Sequence, residues 1–186
     1  KQLEGAYKDG KLSGVMTVWD NLNNMTPEDK SKNENSEWTE WYANGEKRIV
    51  VIYKAGRKKE TSGKGNGDWT LWYENGEKKL VQSFVNGQPD SKWTVWFENG
   101  SKKEEIIWKD GQLDGKWTEW YESGEVRVKG KYKNGQKDKK WMEFYFTGEK
   151  RSLESYKSGK PDGNWTQWYA GGEKKENCSW KNGSLK

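Results

Sequence analysis

The sequence predicts an all-β chain: an elongated single-sheet β-meander of stacked 24-residue β-hairpin repeats, about seven units in all. Three observations carry this expectation. A W-T-x-W-Y-like unit begins at Trp38, Trp69, Trp93, Trp117, Trp141 and Trp165, and the last four intervals are each 24 residues. A second aromatic series, Phe84, Trp108, Tyr132, Tyr156 and Trp180, keeps the same period. Glycine turn signals follow both series, at Asn44-Gly45, Asn75-Gly76, Asn99-Gly100, Ser123-Gly124, Thr147-Gly148 and Gly171-Gly172, then at Asn86-Gly87, Asp110-Gly111, Asn134-Gly135 and Ser158-Gly159. Fixed periods of roughly 20–50 residues mark repeat architectures. Asn-Gly between β-prone segments marks a hairpin, because a type I′ turn needs positive φ at both central residues.

Taken in order, QLEGAY at residues 2–7 reads as the second strand of a unit whose first strand is missing. VMTVWD at 15–20 is a degenerate first strand, since Tyr7 lies nine residues before Met16 just as Phe84 lies nine before Trp93. Residues 20–37 are almost wholly polar and read as a loop, in which Thr26-Pro27-Glu28 can start a short helical turn. Trp38 and Trp69 are 31 apart, an insertion of seven residues that falls in the basic, Gly-rich loop at 58–67. From Trp69 onward each unit holds two strands and two turns. The type I′ turn is expected at Asn75-Gly76 and its equivalents, and a longer loop is expected after the second strand. The chain is thus expected to be one array over residues 1–186, irregular over 1–68, regular over 69–186 and ending mid-unit. Roughly fourteen strands at about 4.8 Å each would extend about 65 Å. Neither end carries a capping unit, so the chain is expected to be a piece of a longer array or to have edges that pair, in a homo-oligomer or with another chain.

Composition narrows the function. Of 186 residues 30% are apolar and 34% charged, yet there are 14 Trp and 22 Gly. Such aromatic content argues against disorder and suits a thin, stacked structure. Net charge is +5 on 34 basic and 29 acidic residues. There is no His and one Cys, Cys178. An intrachain disulfide, a thiol metal site and histidine acid–base chemistry are therefore excluded. No apolar run approaches the roughly 18 residues of a membrane span. The remaining carboxylates, such as Glu74, Glu98 and Glu122, recur at one turn-flanking position and read as structural. The chain is expected to be no enzyme and to use no cofactor or metal.

A two-residue turn at Asn75-Gly76 would set Trp72 opposite Lys79. The same register would set Trp41 opposite Arg48, Trp96 opposite Lys103, Trp120 opposite Arg127, Phe144 opposite Arg151 and Trp168 opposite Lys175. Cross-strand and cation–π pairs of this kind contribute roughly 0.2–1 kcal/mol each. The two aromatics of each unit are three apart, so they occupy opposite faces of the strand. The twelve residues just named form the candidate binding face, and the same rings would also serve simply to cover one another. Gly67, Gly115 and Gly163 leave room for close stacking near the first Trp of their units.

The unit W-T-x-W-Y-E-N-G-E-K-K…Y-K-N-G-K-x-D-G resembles the MORN-repeat variant family (membrane occupation and recognition nexus), in particular its bacterial branch containing toxin–antitoxin antitoxins. The resemblance runs from Tyr7 to Gly183 and is clearest from Trp69 to Tyr169. It implies hairpins stacked into an elongated plate, with a binding or scaffolding role. Departures are the 24-residue period, Trp at many of the family's Tyr positions, and the irregular first two units.

The leading functional expectation is a protein-interaction module, either an antitoxin or immunity protein or a surface scaffold, with another protein as partner. The alternative is a cell-surface module that recognises wall glycan, choline-like groups or anionic lipid through exposed Trp. Near-balanced charge and Glu at the turns disfavour nucleic acid. Location stays open between the cell surface, which the absence of an initial Met and the family's surface members favour, and the cytoplasm, where an antitoxin would work.

Overall fold

The computed structural model describes residues 2–4, 7–8, 11–12, 17–19, 36–54 and 66–186, with side chains over 39–52 and 67–186. The expected loops at 20–37 and 58–67 lie almost wholly outside the described residues. No described residue is helical. The chain falls into two compact units, residues 1–100 and 101–186. The first holds β1 (Gln2–Glu4), β2 (Tyr7–Lys8), β3 (Lys11–Leu12), β4 (Thr17–Trp19), β5 (Ser36–Trp41), β6 (Lys47–Lys54), β7 (Asn66–Trp72), β8 (Lys78–Val85) and β9 (Gln88–Trp96). The second holds β10 (Lys102–Lys109), β11 (Gln112–Trp120), β12 (Val126–Lys133), β13 (Gln136–Phe144), β14 (Lys150–Lys157), β15 (Lys160–Pro161), β16 (Gly163–Trp168), β17 (Lys174–Lys181) and β18 (Ser184–Leu185). From β5 onward the strands within each unit pair antiparallel in chain order, and β14 pairs with both β15 and β16. The described residues therefore form the all-β meander that the repeat implies. The degenerate start fits it too, because β2 pairs with β3 and β1 with β4 across the same two-residue register step as later units.

The two turn classes are the reverse of the sequence expectation. In the first turn Gly76 donates its N–H to the Tyr73 carbonyl at 3.0 Å, and Tyr73 donates to the Glu77 carbonyl at 2.8 Å. Only the glycine is left-handed, at φ +85°. This is a three-residue loop, a type I turn closed by a G1 bulge. Where Asn precedes the glycine it reinforces the turn: Asn75 Oδ1 accepts from the Glu77 N–H at 3.0 Å, and its Nδ2 donates to the Glu98 carbonyl of the next hairpin at 2.8 Å; Ser123, Thr147 and Gly171 stand in the same turn without that bond pair. The type I′ turns lie instead after the second strand. Asn86 and Gly87 have φ of 54° and 69°, and Val85 pairs directly with Gln88. Asp110-Gly111, Asn134-Gly135, Ser158-Gly159 and Asn182-Gly183 repeat this geometry.

After the type I′ turns at 86–87, 110–111 and 134–135 comes a larger bulge, with three residues against one. Register steps between Val81 and Ser83, between Ile106 and Trp108, and between Lys129 and Lys131. The bulged residue is left-handed whether or not it is glycine: Ser91 (φ 65°), Gly115 (148°), Lys139 (61°) and Gly163 (112°). The bulge admits the first Trp of the unit. Trp93, Trp141 and Trp165 donate their indole N–H to the carbonyls of Ser83, Lys131 and Ser155 at 3.0–3.2 Å. Trp117 donates to Glu104 instead.

With no second layer among the described residues, the rings cover one another. Phe84 lies 5.9 Å from Trp69 and 5.3 Å from Trp93. Trp141 lies 5.2 Å from Trp117 and 4.9 Å from Tyr132, and Trp165 joins Tyr156 to Trp180 at 5.3 and 5.4 Å. Both faces are dried in this way. Val50 and Val51, consecutive and so on opposite faces, are 7% and 1% exposed. Gly130 lets the Trp141 ring lie flat on its backbone, because a Cβ there would enter the indole. Gly130→Ala should destabilise the chain by about 1–3 kcal/mol in urea unfolding. Lys139→Gly, which relieves a left-handed lysine, should instead raise stability by up to about 1 kcal/mol.

Candidate interaction face

The second aromatic of each unit ends the first strand, beside the type I turn. Trp41, Trp72, Trp96, Trp120, Phe144 and Trp168 are all half-buried. A bulge at the opposite strand alters their expected partners. Leu71 pairs with Leu80 but Trp72 with Lys78, which leaves Lys79 as the extra residue. In the same way Trp41 pairs with Lys47, Trp120 with Val126, Phe144 with Lys150 and Trp168 with Lys174. Arg48, Arg127, Arg151 and Lys175 therefore sit on bulges and do not oppose the ring assigned to them from the sequence. The physical reason is the three-residue turn: it adds a residue that a two-residue turn lacks. Trp96 lies in the first unit and Lys103 in the second.

Released from the second aromatic, the bulged cation covers the third. Lys79 Nζ lies 5.3 Å from the Tyr73 ring centroid and Lys175 Nζ 5.8 Å from that of Tyr169. The Arg48 and Arg151 guanidiniums lie 5.9 Å from Tyr42 and Tyr145. Two of the second aromatics do meet a cation, but from the preceding hairpin: Lys102 over Trp120 at 5.8 Å and Lys129 over Phe144 at 5.1 Å.

The arginines are further tied to the residue just before the second aromatic. Arg48 meets Glu40 at 3.3 Å, Arg127 meets Glu119 at 2.5 Å and Arg151 meets Glu143 at 2.9 Å. Glu119 holds the Arg127 guanidinium above its ordinary pKa. The Ser123 hydroxyl, with the backbone, holds Glu125 below the usual carboxylate range. The side chains of Arg48 and Arg151 remain 52% and 53% exposed, whereas the second aromatics are half-buried; of the rings beneath the cations, Tyr169 is also exposed.

The third aromatic, which sequence reasoning left out of the site, joins hairpins. Tyr42 and Tyr73 donate their hydroxyls to the carbonyls of Trp72 and Trp96 at 2.9 Å, and Tyr121 and Tyr145 to those of Phe144 and Trp168 at 2.8 Å. The backbone of the second aromatic is thus the anchor for the neighbouring repeat. One sequence signal was available. Units with Glu before the second aromatic carry Arg at the bulge, at 40/48, 119/127 and 143/151. Units with Leu71, Val95 or Gln167 carry Lys79, Lys103 or Lys175.

This hairpin has a counterpart among known families. Residues 113–134 match the MORN repeat variant. The matched stretch is 22 residues of one 24-residue repeat, from Leu113 in β11 through the type I turn and β12 to Asn134. It supports the MORN repeat family, and the same bonds recur in hairpins on either side of it. No curated protein matches the chain. A β-meander that carries such a repeat fits a repeat interaction module. Among the described residues no group of His, Cys, Asp or Glu is arranged to hold a metal, and no helix is long and apolar enough to cross a membrane.

Two measurements check this account of the MORN-type repeat. Tyr145→Phe removes an inter-hairpin bond and should cost about 1 kcal/mol in chemical unfolding. Burial, with the nearby Glu104 charge, raises the Tyr132 pKa. Burial followed by the 2.8 Å bond to Glu154 raises that of Tyr156 far more. A phenol raised in the folded state stabilises fully below its unfolded pKa of about 10 and loses that contribution as pH climbs toward its folded value. Stability should therefore fall above about pH 10, and Tyr156→Phe should flatten the fall, read as Tm against pH.

Proposed function

We propose that this chain is a non-enzymatic repeat protein that holds another protein, as an antitoxin, an immunity protein or a surface scaffold. One observation carries the reading. The repeated polar groups are spent on the next hairpin: Tyr hydroxyls, turn asparagines and first-Trp indoles are bonded to backbone carbonyls. What each unit leaves facing solvent is a set of cations beside half-buried aromatics. Arg and aromatic residues are the usual anchors of protein interfaces. A quaternary ammonium ligand fits less well, because Lys79, Lys175, Arg48 and Arg151 already occupy the tyrosine faces.

The test is affinity capture from cytosolic and envelope fractions with the intact chain as bait, beside a Lys79→Glu/Lys175→Glu variant. Both positions are exposed, so the fold should survive. The expected outcome is one stoichiometric protein, lost from the variant. Equal capture by the variant would remove these cations from the interface. Recovery of wall glycan or lipid alone, released by choline or salt, would sink the protein-partner reading.

A further inference from the structure

The type I′ turn edge of the second unit carries a charge excess that the repeat does not require. Residues 101–186 hold 19 Lys or Arg against 14 Asp or Glu, while residues 1–100 hold 15 of each. The net charge of +5 therefore belongs to the second unit. Inside it, the four turn-and-bulge segments 109–116, 133–140, 157–164 and 181–186 hold ten Lys and four Asp. The rest of the unit is close to neutral.

Lys109, Lys133, Lys157 and Lys181 occupy the last strand position before the turn in four successive hairpins, and all are exposed. The equivalent positions in the first unit are Lys8, Lys54 and Val85, so the fold does not require lysine there. Turn-to-turn bonds hold the four in line: Gly135 donates to the Leu113 carbonyl, Gly159 to Lys137 and Gly183 to Pro161, at 2.8–2.9 Å. Two of the four aspartates are committed to the same bonding. Asp114 and Asp162 accept the backbone N–H groups of Asn134 and Asn182 at 3.4 and 3.1 Å. Lys181 lies 3.8 Å from Asp162; Lys109, Lys133 and Lys157 make no ion pair among the described residues.

Two strands separate one lysine of this ladder from the next, so the rungs rise about 10 Å each. A polyproline II segment advances about 3.1 Å per residue, and side chains every third residue recur at about 9.3 Å. We propose that the lysine ladder is the docking surface for an extended acidic segment of a partner protein, with carboxylates at every third position. Charge complementarity and matched spacing both favour this occupant. Single-stranded nucleic acid would also want free ring faces to stack on. Tyr132, Tyr156 and Trp180 behind the ladder are instead packed against Trp141 and Trp165.

The proposal rests on the reading of the chain as a protein-interaction module, and fluorescence anisotropy with synthetic probes tests the two separately. One labelled peptide repeats Glu-Pro-Pro; the other has the same composition with its glutamates contiguous. The full chain should bind the spaced peptide several-fold more tightly than the clustered one. Joint Lys109→Gln, Lys133→Gln, Lys157→Gln and Lys181→Gln substitution should weaken it about tenfold or more. Lys150→Gln/Lys174→Gln, exposed beside the type I turns of the same unit, should leave it unchanged, and near-UV circular dichroism should report the same fold for all three proteins. No binding, equal affinity for the two peptides, or indifference to the ladder variant would overturn the ladder and leave the module reading standing. Tighter ladder-dependent binding of oligo(dT) or of phosphatidylserine vesicles would overturn the protein partner itself.

Discussion

The bond on which this structure depends runs from a tyrosine hydroxyl to a backbone carbonyl one hairpin on. A sheet with no second layer cannot bury a core between layers, so each hairpin must be dried and held by its neighbour. Ladder hydrogen bonds alone do not specify which neighbour or which register. The hydroxyl does, because it reaches a carbonyl 23 residues away at the second aromatic and so joins turn to turn at a fixed offset. Asn44 and Asn75 add a parallel bond at the tips. Once the turns are clamped, the ring series Trp, Tyr and Phe is brought to stacking distance along the same axis. Aromatic pairing then contributes beyond the area it buries.

Much of this was legible in the sequence, and the part that was not has a common cause. The 24-residue period, the hairpin in each unit and the placement of both aromatic series follow from spacing alone. Even the degenerate start, with Tyr7 nine residues before Met16, belongs to the same hairpin class as Phe84 and Trp93. Turn type did not follow. Asn-Gly suits a type I′ turn and also a type I turn with a left-handed glycine, and the dipeptide alone does not separate them; the bonds of the flanking backbone and of the next hairpin do. Asn75 bonds forward to Glu77 and across to Glu98, and the second of these exists only once the next hairpin is in place. The cation pairing failed for the same reason, since a one-residue change in the turn moved Lys79 from Trp72 to Tyr73.

The same logic separates positions that the scaffold uses from positions it leaves open. Tyr145, Asn75 and Trp141 are spent on neighbours, and their recurrence needs no ligand to explain it. The bulged cations are different. Arg48, Arg127 and Arg151 balance a glutamate that the unit itself supplies, whereas Lys79 and Lys175 have a hydrophobic or neutral residue at that place. Half-exposed ion pairs of this kind contribute at most about 1 kcal/mol, so the scaffold does not depend on them. A position that the fold can spare is one that recognition can use.

Bulges carry the last step. The regular hairpins are irregular at both ends, with a one-residue bulge beside the type I turn and a three-against-one bulge after the type I′ turn. Such irregularities raise local twist and pin register, which a flat stack of near-identical strands would otherwise leave free to slip. Glycine is not what creates them. Ser91 and Lys139 hold left-handed backbone where Gly115 and Gly163 stand in other units, at a cost of roughly 1–2 kcal/mol for a residue with a Cβ. The conformation survives because its surroundings over-determine it. At the last such bulge the Ser155 carbonyl takes both the Asp162 N–H at 2.9 Å and the Trp165 indole N–H at 3.0 Å. The Asp162 side chain in turn receives the N–H of Asn182 in the next turn. A bulge wired to an indole and to the following hairpin persists whatever residue occupies it, which is how the period can stay at 24 while the residue at the bulge varies.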